Sequence, residues 1–115
     1  MTQFRQGDIV FASFPFSSQK GSKVRPCLIL AECDTAEDYL ASYISSSRFP
    51  SAFPSTIIIE KGIRDFELTG LVTTSYIRAD KLSVLHTSVI GGKIGEMPSD
   101  LLAQVKSALR NLLEL

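Results

Sequence analysis

Short runs of apolar and β-branched residues, separated by polar and turn-forming segments, recur along most of the chain and predict β-strands. Residues 39–46 alternate with the two-residue period of a strand, and Cys27–Leu30 is a continuous apolar run typical of a buried strand. Glycine and proline separate these runs, as at Gly7 and at Gly91–Gly92. The predicted strands are Ile9–Phe14, Pro26–Ala31, Tyr39–Ser46, Ser55–Glu60, Leu71–Ala79, Lys81–Leu85 and Val89–Ile94.

The end of the chain changes to the period of an α-helix. Its apolar residues recur at offsets of three and four and form one stripe: Leu101, Leu102, Val105, Ala108, Leu109, Leu112 and Leu113. Ser99 is the expected N-cap, and Asp100 in the first turn suits the helix dipole. The chain is therefore predicted to be mainly β with a C-terminal helix. A small barrel is the expected arrangement, because closing the sheet removes its unpaired edges.

Length and composition indicate one ordinary globular domain. The chain has 115 residues, of which 44% are hydrophobic and 21% charged. Twelve basic residues balance twelve acidic ones, so any binding of nucleic acid must depend on a local patch. No apolar run is long enough to span a membrane, and residues 1–7 lack the apolar segment of a signal peptide. A cytoplasmic location is expected.

The residues that could hold a metal or act as a general base are few. Cys27, Cys33 and the single histidine, His86, do not have the spacing of a zinc site. The acidic residues of 32–38 do not have the spacing of a calcium loop and are interpreted as a solvated loop. His86 is interpreted as a turn residue, and no serine lies in a nucleophile elbow. We expect no metal and no cofactor.

Arg25 is the strongest candidate for binding an anion. It lies between the polar loop 17–23 and the apolar strand, and Pro26 restricts its backbone to extended angles. A guanidinium held in this way suits a multi-oxygen anion such as a phosphate. The alternative is an arginine at a strand end that pairs with a nearby carboxylate.

A second group of polar residues, Ser45–Ser47, ends the third strand. Its hydroxyls would either bind a phosphate or form hydrogen bonds with backbone groups that are unpaired at the end of the strand. If the second and third strands are neighbours, Ser45 and Arg25 would line one groove, with Lys23 at the rim. Ser75, Tyr76 and Arg78 would extend this groove. In the alternative, Tyr76 fills the core and Arg78 pairs with Asp80.

Several short motifs, in this order and spacing, resemble the MazF/PemK family of toxin endoribonucleases. The resemblance covers nearly the whole chain and treats residues 1–115 as a single domain of that type. Its motifs are Gly7–Val10, Phe14–Phe16, Lys23–Pro26, Ile44–Ser46, Gly70–Leu71, Ser75–Leu82 and Lys93–Gly95.

The resemblance implies a small SH3-like barrel of the plasmid-toxin type and a homodimer that a cognate antitoxin protein inhibits. It also implies a toxin of a type II toxin–antitoxin system that cleaves single-stranded RNA at short preferred sequences without a metal. The family's catalytic arginine and threonine fall on Arg25 and Ser45. The expected substrate-binding residues are Phe16, Lys23, Ser46, Ser75 and Arg78.

The expected reaction uses the nucleophile that RNA itself carries, the 2′-hydroxyl. It leaves a 2′,3′-cyclic phosphate and a 5′-hydroxyl. Some family members have a glutamate in the first loop, but residues 17–23 contain none, so no carboxylate base is assigned.

Two alternatives remain open. The first is a non-enzymatic toxin of the gyrase-poison type, with the same barrel and a different target. The second is a catalytically inert barrel that only binds RNA or a partner protein. The serine that replaces threonine at position 45 and the absence of a glutamate in the loop keep this second alternative open.

Overall fold

The computed structural model describes residues 3–15, 22–47 and 54–115. Within them, six strands precede one α-helix. The elements are β1 Asp8–Pro15, β2 Ser22–Glu32, β3 Asp38–Ser45, β4 Thr56–Ile59, β5 Ser75–His86, β6 Ile90–Glu96 and α1 Ser99–Leu113. Short 3₁₀ helices cover Phe66–Thr69 and Thr87–Val89. The prediction of a mainly β protein with a C-terminal helix is confirmed. None of the helices in the described ranges is long and apolar enough to cross a membrane.

The strands form one antiparallel sheet in the order β4-β5-β3-β2-β1-β6. The expectation that the second and third strands are neighbours is confirmed. Two of the predicted strands, Leu71–Ala79 and Lys81–Leu85, are wrong in their bounds, because a single long strand, β5, runs from Ser75 to His86. Residues 71–74 have a strand-like composition but lie outside the sheet. Tertiary packing has therefore overridden local propensity there.

The expected closure of the sheet into a barrel is wrong for the described strands, because β4 and β6 are edges of an open sheet. A non-strand segment covers β6. A Cβ atom on Gly70 would overlap the carbonyl oxygen of Ile94, and a Cβ atom on Gly95 would overlap the backbone of Thr69. This close backbone contact shields the edge of β6 without a strand pair.

Each face of the sheet carries its own apolar cluster, as the two-residue period requires. The first cluster packs against α1, which buries Leu101 and Val105 in it. The second cluster, on the other face, contains Val10, Ala12, Cys27, Ile29, Tyr39, Ala41 and Leu85. One expectation for the helix is wrong, because its N-cap is Pro98 rather than Ser99. The end of the apolar stripe, at Leu112 and Leu113, is exposed.

Arg25 lies inside β2 rather than at the junction of loop and strand. The strand begins at Ser22, and Arg25 is paired with Ala12 of β1. Its expected position is therefore corrected. β1 pairs with β2 as far as Pro15 and Ser22, so the strands extend into residues whose polar composition had suggested a loop.

Candidate functional site

A groove opens where β2 and β3 stop pairing. Their ladder begins at Cys27 and Tyr43, and two residues farther along each strand lie Arg25 and Ser45. Arg25 still pairs with β1, and Ser45 pairs with Tyr76 of β5, so both residues are held on their outer sides. Because side chains alternate between faces, Arg25 and Ser45 belong to the same face of the sheet.

The groove has a volume of about 370 Å³. Four of the predicted site residues line it: Arg25, Ser45, Ser46 and Ser75. Its other described lining residues are Phe11, Val24, Pro26, Tyr43, Ile44, Ser47, Gly70, Leu71, Val72, Thr73 and Ile94. Arg25 is the one charged side chain among them, so it determines the electrostatic character of the described lining.

The Arg25 guanidinium has no carboxylate partner among the described residues, whose ion pairs all involve other side chains. Its Nη1 donates a hydrogen bond to the carbonyl oxygen of Val24, at 3.2 Å. The alternative of a strand-end arginine paired with a carboxylate is therefore not what the described residues show. None of the described residues accepts the other N–H groups of the guanidinium fork, so these donors remain available to an anion.

Burial keeps the neighbouring Cys27 in its neutral form. Desolvation raises the pKa of this thiol to about 12. Its Sγ donates to the carbonyl oxygen of Arg25, at 3.5 Å. The backbone that carries the guanidinium is thus tied to a buried, uncharged side chain.

Ser45 is 5% exposed and lies at the end of β3. Its Oγ accepts the backbone N–H of Ser47 at 3.0 Å, so one part of the alternative, a hydroxyl that satisfies the backbone, holds for this residue. The same bond leaves the hydroxyl proton unused, and none of the described residues accepts it. Ser45 can therefore still donate to an oxygen atom in the groove.

Ser75 lines the groove as expected, whereas Arg78 forms the pair with Asp80 that was the open alternative. The buried Ser75 hydroxyl donates to the carbonyl oxygen of Thr73 at 2.9 Å. Arg78 does not line the groove. It forms a bidentate pair with Asp80, with Nε–Oδ1 and Nη2–Oδ2 distances of 2.9 and 2.8 Å. The hydrogen bond from Arg78 lowers the pKa of the Asp80 carboxyl, against a smaller opposing effect of burial.

The two remaining predicted contacts are only partly described. Lys23 lies on β2 opposite Phe14, and its side chain is outside the described atoms. Phe16 lies outside the described residues altogether. Ser46 is exposed at the mouth of the groove.

Comparison with known proteins assigns the chain to a family. A family model described as PemK-like, MazF-like toxin of type II toxin–antitoxin system matches residues 5–113. The chain belongs to this family. It is thus a PemK/MazF-like toxin, and the resemblance stated from the motifs is confirmed.

Solved structures share the fold of this PemK/MazF-like toxin. An endoribonuclease from a mycobacterial species is 19% identical, with a TM-score of 0.74, over 100% of this chain and 95% of the other. A mycobacterial endoribonuclease in complex with its cognate antitoxin is 18% identical, with a TM-score of 0.71, over 96% and 94%. The MazE–MazF complex of Deinococcus radiodurans is 22% identical, with a TM-score of 0.70, over 96% and 95%. No curated protein matches the chain.

Sequence reasoning missed one side of the groove of this PemK/MazF-like toxin. Residues Gly70–Thr73, here called the wall segment, line it together with Arg25 and Ser45. The sequence pattern assigned Leu71 to a strand, so the wall segment was not recognised as a separate part of the groove. The pair Gly70–Leu71 within the family motifs was the one signal that could have marked it, because a glycine with positive φ ends the 3₁₀ helix there.

The described lining of the groove contains no carboxylate and no imidazole. No group of three or more histidine, cysteine or acidic side chains in the described ranges could hold a metal ion. His86 lies at the far end of β5, where its Nδ1 accepts the backbone N–H of Ser88 at 3.0 Å. This position agrees with the interpretation of His86 as a turn residue.

Proposed function

We propose that this PemK/MazF-like toxin is an endoribonuclease that cleaves single-stranded RNA at short preferred sequences, with Arg25 and Ser45 as its catalytic residues. One observation carries the proposal: a guanidinium without a described carboxylate partner and a hydroxyl whose proton no described residue accepts line the same groove. Relatives of the same fold are described as endoribonucleases, which supports this choice of chemistry.

The proposed reaction is an intramolecular transfer within RNA. The 2′-oxygen of one ribose attacks the adjacent phosphorus, and the bond from phosphorus to the 5′-oxygen of the next nucleotide breaks. The 2′-hydroxyl loses its proton and the departing 5′-oxygen gains one. The products are therefore a 2′,3′-cyclic phosphate and a 5′-hydroxyl.

Arg25 is assigned the stabilisation of charge on the phosphoryl oxygens. Two N–H groups of its fork can donate to two oxygens at once, and this bonding strengthens as negative charge builds up at the phosphorus centre. One preorganised donor of this type lowers the barrier by about 3–4 kcal/mol. Since arginine stays protonated at neutral pH, we do not assign it the role of base.

Ser45 is assigned the orientation of the phosphate. Its proton can donate to a non-bridging oxygen while its Oγ continues to accept from Ser47. Substrate contacts are proposed for Phe16, Lys23, Ser46 and Ser75. The Ser75 hydroxyl acts indirectly, because it donates its hydrogen bond to the carbonyl oxygen of Thr73 in the lining of the groove. Arg78 would reach RNA only when its pair with Asp80 opens.

We propose that cleavage needs no added metal. The described lining of the groove offers a guanidinium, hydroxyls and backbone groups, whereas divalent cations in phosphoryl-transfer sites are usually held by carboxylates. The nucleophile also belongs to the substrate, so a metal-activated water is not required for the first transfer.

Two protein partners are proposed. The first is a cognate antitoxin, because relatives of the same fold have been solved as complexes with one. The second is another copy of this chain. Phe11 and Val24, which line one rim of the groove and are 44% and 63% exposed, form an apolar surface that a second copy would cover.

The test is to map RNA ends after incubating a mixed RNA with purified wild type, Arg25→Ala and Arg110→Ala in the presence of a chelator. We expect 5′-hydroxyl ends at a short recurring sequence for wild type. The exposed helix arginine Arg110 is the matched control, and its variant should cleave normally. Arg25→Ala should cleave about 10²–10³-fold more slowly. Full activity of Arg25→Ala would disprove the assignment, and binding without cleavage by wild type would indicate an inert barrel.

A further inference from the structure

We propose that Thr69 is a positioning residue of the groove: its buried hydroxyl holds the wall segment Gly70–Thr73 in place, so that exposed Val72 offers a preorganised apolar surface to a base of the bound RNA. This inference rests on the proposed function, because the ligand it names is the RNA strand. It adds a residue that does not itself line the groove.

The Thr69 hydroxyl uses both its donor and its acceptor. The side chain is 0% exposed. Its Oγ1 donates to the carbonyl oxygen of Phe66 at 2.6 Å and accepts the backbone N–H of Leu71 at 3.1 Å. A single hydroxyl therefore closes the 3₁₀ helix and fixes the first side-chain-bearing residue of the wall segment. Serine can make both bonds, whereas valine, which has the shape of threonine, can make neither.

Backbone packing fixes the same end of the wall segment. Gly70 has a φ of 72°, in the left-handed region that favours glycine. Its Cα lies so close to β6 that a Cβ atom would overlap the carbonyl oxygen of Ile94. On the facing strand, a Cβ atom on Gly95 would overlap the Thr69 backbone. Because neither glycine has a side chain, the start of the wall segment packs directly against the backbone of β6, an edge strand of the sheet.

A second buried hydroxyl fixes the other end. Ser75, the first residue of β5, donates to the carbonyl oxygen of Thr73 at 2.9 Å. The wall segment is therefore anchored at Leu71 by Thr69 and at Thr73 by Ser75. Between these anchors Val72 is 84% exposed. Covering this exposed apolar side chain with a ligand is favourable, because it removes apolar surface from water.

Preorganisation explains why such a surface helps binding. A flexible loop would lose conformational entropy on contact with RNA, whereas an anchored loop has already lost it during folding. The flat apolar face of a nucleotide base suits a valine at the rim, while Arg25 in the same groove suits the phosphate. Loosening the wall segment should then weaken RNA binding and leave the chemical step at Arg25 and Ser45 largely intact.

The experiment compares Thr69→Val with Thr69→Ser and measures KM and kcat on a short single-stranded RNA that wild type cleaves. Thr69→Val should raise KM about tenfold and change kcat by less than about twofold, because it removes binding common to ground state and transition state. Thr69→Ser keeps the hydroxyl and should restore the wild-type KM. Tyr39→Phe is the matched control, since the Tyr39 hydroxyl also accepts backbone N–H groups, from Gln3 and Phe4, but lies outside the groove.

A purely structural role would give a different result. Loss of folded protein lowers the apparent kcat in proportion and leaves KM unchanged, and that result for Thr69→Val would overturn the proposal. Equal KM values for the serine and valine variants would overturn it too. Hydrogen exchange at the Leu71 amide should be faster in Thr69→Val than in wild type, and unchanged exchange would contradict the anchoring. Hydrogen exchange needs no RNA, so it tests the anchoring by Thr69 even if wild type does not cleave RNA. A failure of wild type to cleave would refute the proposed function instead.

Discussion

Arg25 and Ser45 lie on neighbouring strands, each two residues beyond the pair Cys27–Tyr43 at which the ladder between β2 and β3 begins. Each remains paired on its outer side, Arg25 with Ala12 and Ser45 with Tyr76. Each backbone is therefore held by strand pairing on one side, while the space between the two residues is free of strand pairing. This arrangement lets a groove form without placing either residue on a loop.

We expect catalysis to depend on the planar guanidinium geometry of Arg25 as well as on its positive charge. Arg25→Lys keeps a positive charge but replaces two parallel donors with a single ammonium group. We expect RNA binding within about threefold of wild type and cleavage reduced about 100-fold, since transition-state bonding to two oxygens is lost. Binding to an RNA with a 2′-deoxy sugar at the cleavage site, measured beside single-turnover cleavage, checks this. Equal cleavage by Arg25→Lys and wild type would show that charge alone is sufficient.

Ser45 allows a matched pair of substitutions. Ser45→Ala removes the hydroxyl and should lower the cleavage rate about tenfold to a hundredfold, because the phosphate loses an orienting donor. Ser45→Thr keeps the hydroxyl and adds a methyl group that restricts χ1. It should retain activity within about threefold. Circular dichroism checks that both variants fold, and a wild-type rate for Ser45→Ala would remove the residue from the mechanism.

Gly95 tests the contact between β6 and the 3₁₀ helix. A Cβ atom at this position would overlap the backbone of Thr69, which cannot move aside as a flexible side chain can. Gly95→Ala should therefore lower the free energy of unfolding by about 1–3 kcal/mol, the range for overpacking. Gly62→Ala is the control, because a Cβ atom there would meet nothing within 4 Å. Urea unfolding of both variants measures the difference, and equal midpoints would contradict the contact.

The pair Arg78–Asp80 predicts an acid dependence of stability. The hydrogen bond from Arg78 lowers the pKa of Asp80 in the folded state below its ordinary value of 3.8. Between the folded-state pKa of Asp80 and its ordinary value of 3.8, the folded state therefore binds fewer protons than the unfolded state. The contribution of the pair is therefore full above pH 3.8 and is lost as the pH falls through the folded-state pKa.

Asp80→Asn should accordingly be less stable than wild type at neutral pH and should lose less stability on acidification. Denaturant unfolding at a series of pH values measures this difference. Asp34→Asn, in an exposed loop, serves as the control and should follow wild type. Parallel curves for Asp80→Asn and wild type would show that the pair has no effect on folding.

The two cysteines should differ in reactivity. Burial raises the pKa of the Cys27 thiol to about 12, so it carries almost no thiolate at pH 8, whereas Cys33 is partly exposed. Iodoacetamide should label Cys33 in the native protein and both residues in denaturant. Mass spectrometry of the peptides reads the result directly. Rapid native labelling of Cys27 would mean that the core beside Arg25 opens.

Local pattern was sufficient for most elements of the fold. The alternation over 39–46 predicted β3, and the stripe beginning at Leu101 predicted α1, because both periods are properties of neighbouring residues. Polar chemistry indicated Arg25 and Ser45, and the order of the motifs indicated the family that the comparison confirms. The same local signals assigned residues 71–74 to a strand, because valine and threonine suit a strand wherever one can form.

By itself, the sequence determined the types of most elements, the apolar stripe of the helix and the family. The tertiary structure alone decided that the sheet stays open, that Ser45 is nearly buried and that the wall segment leaves the sheet between Thr69 and Ser75. The reason is the range of the interactions. Periodicity depends on adjacent residues, whereas the groove depends on where the ladder of β2 and β3 ends and on backbone contact between Gly70 and Ile94, which are far apart in sequence.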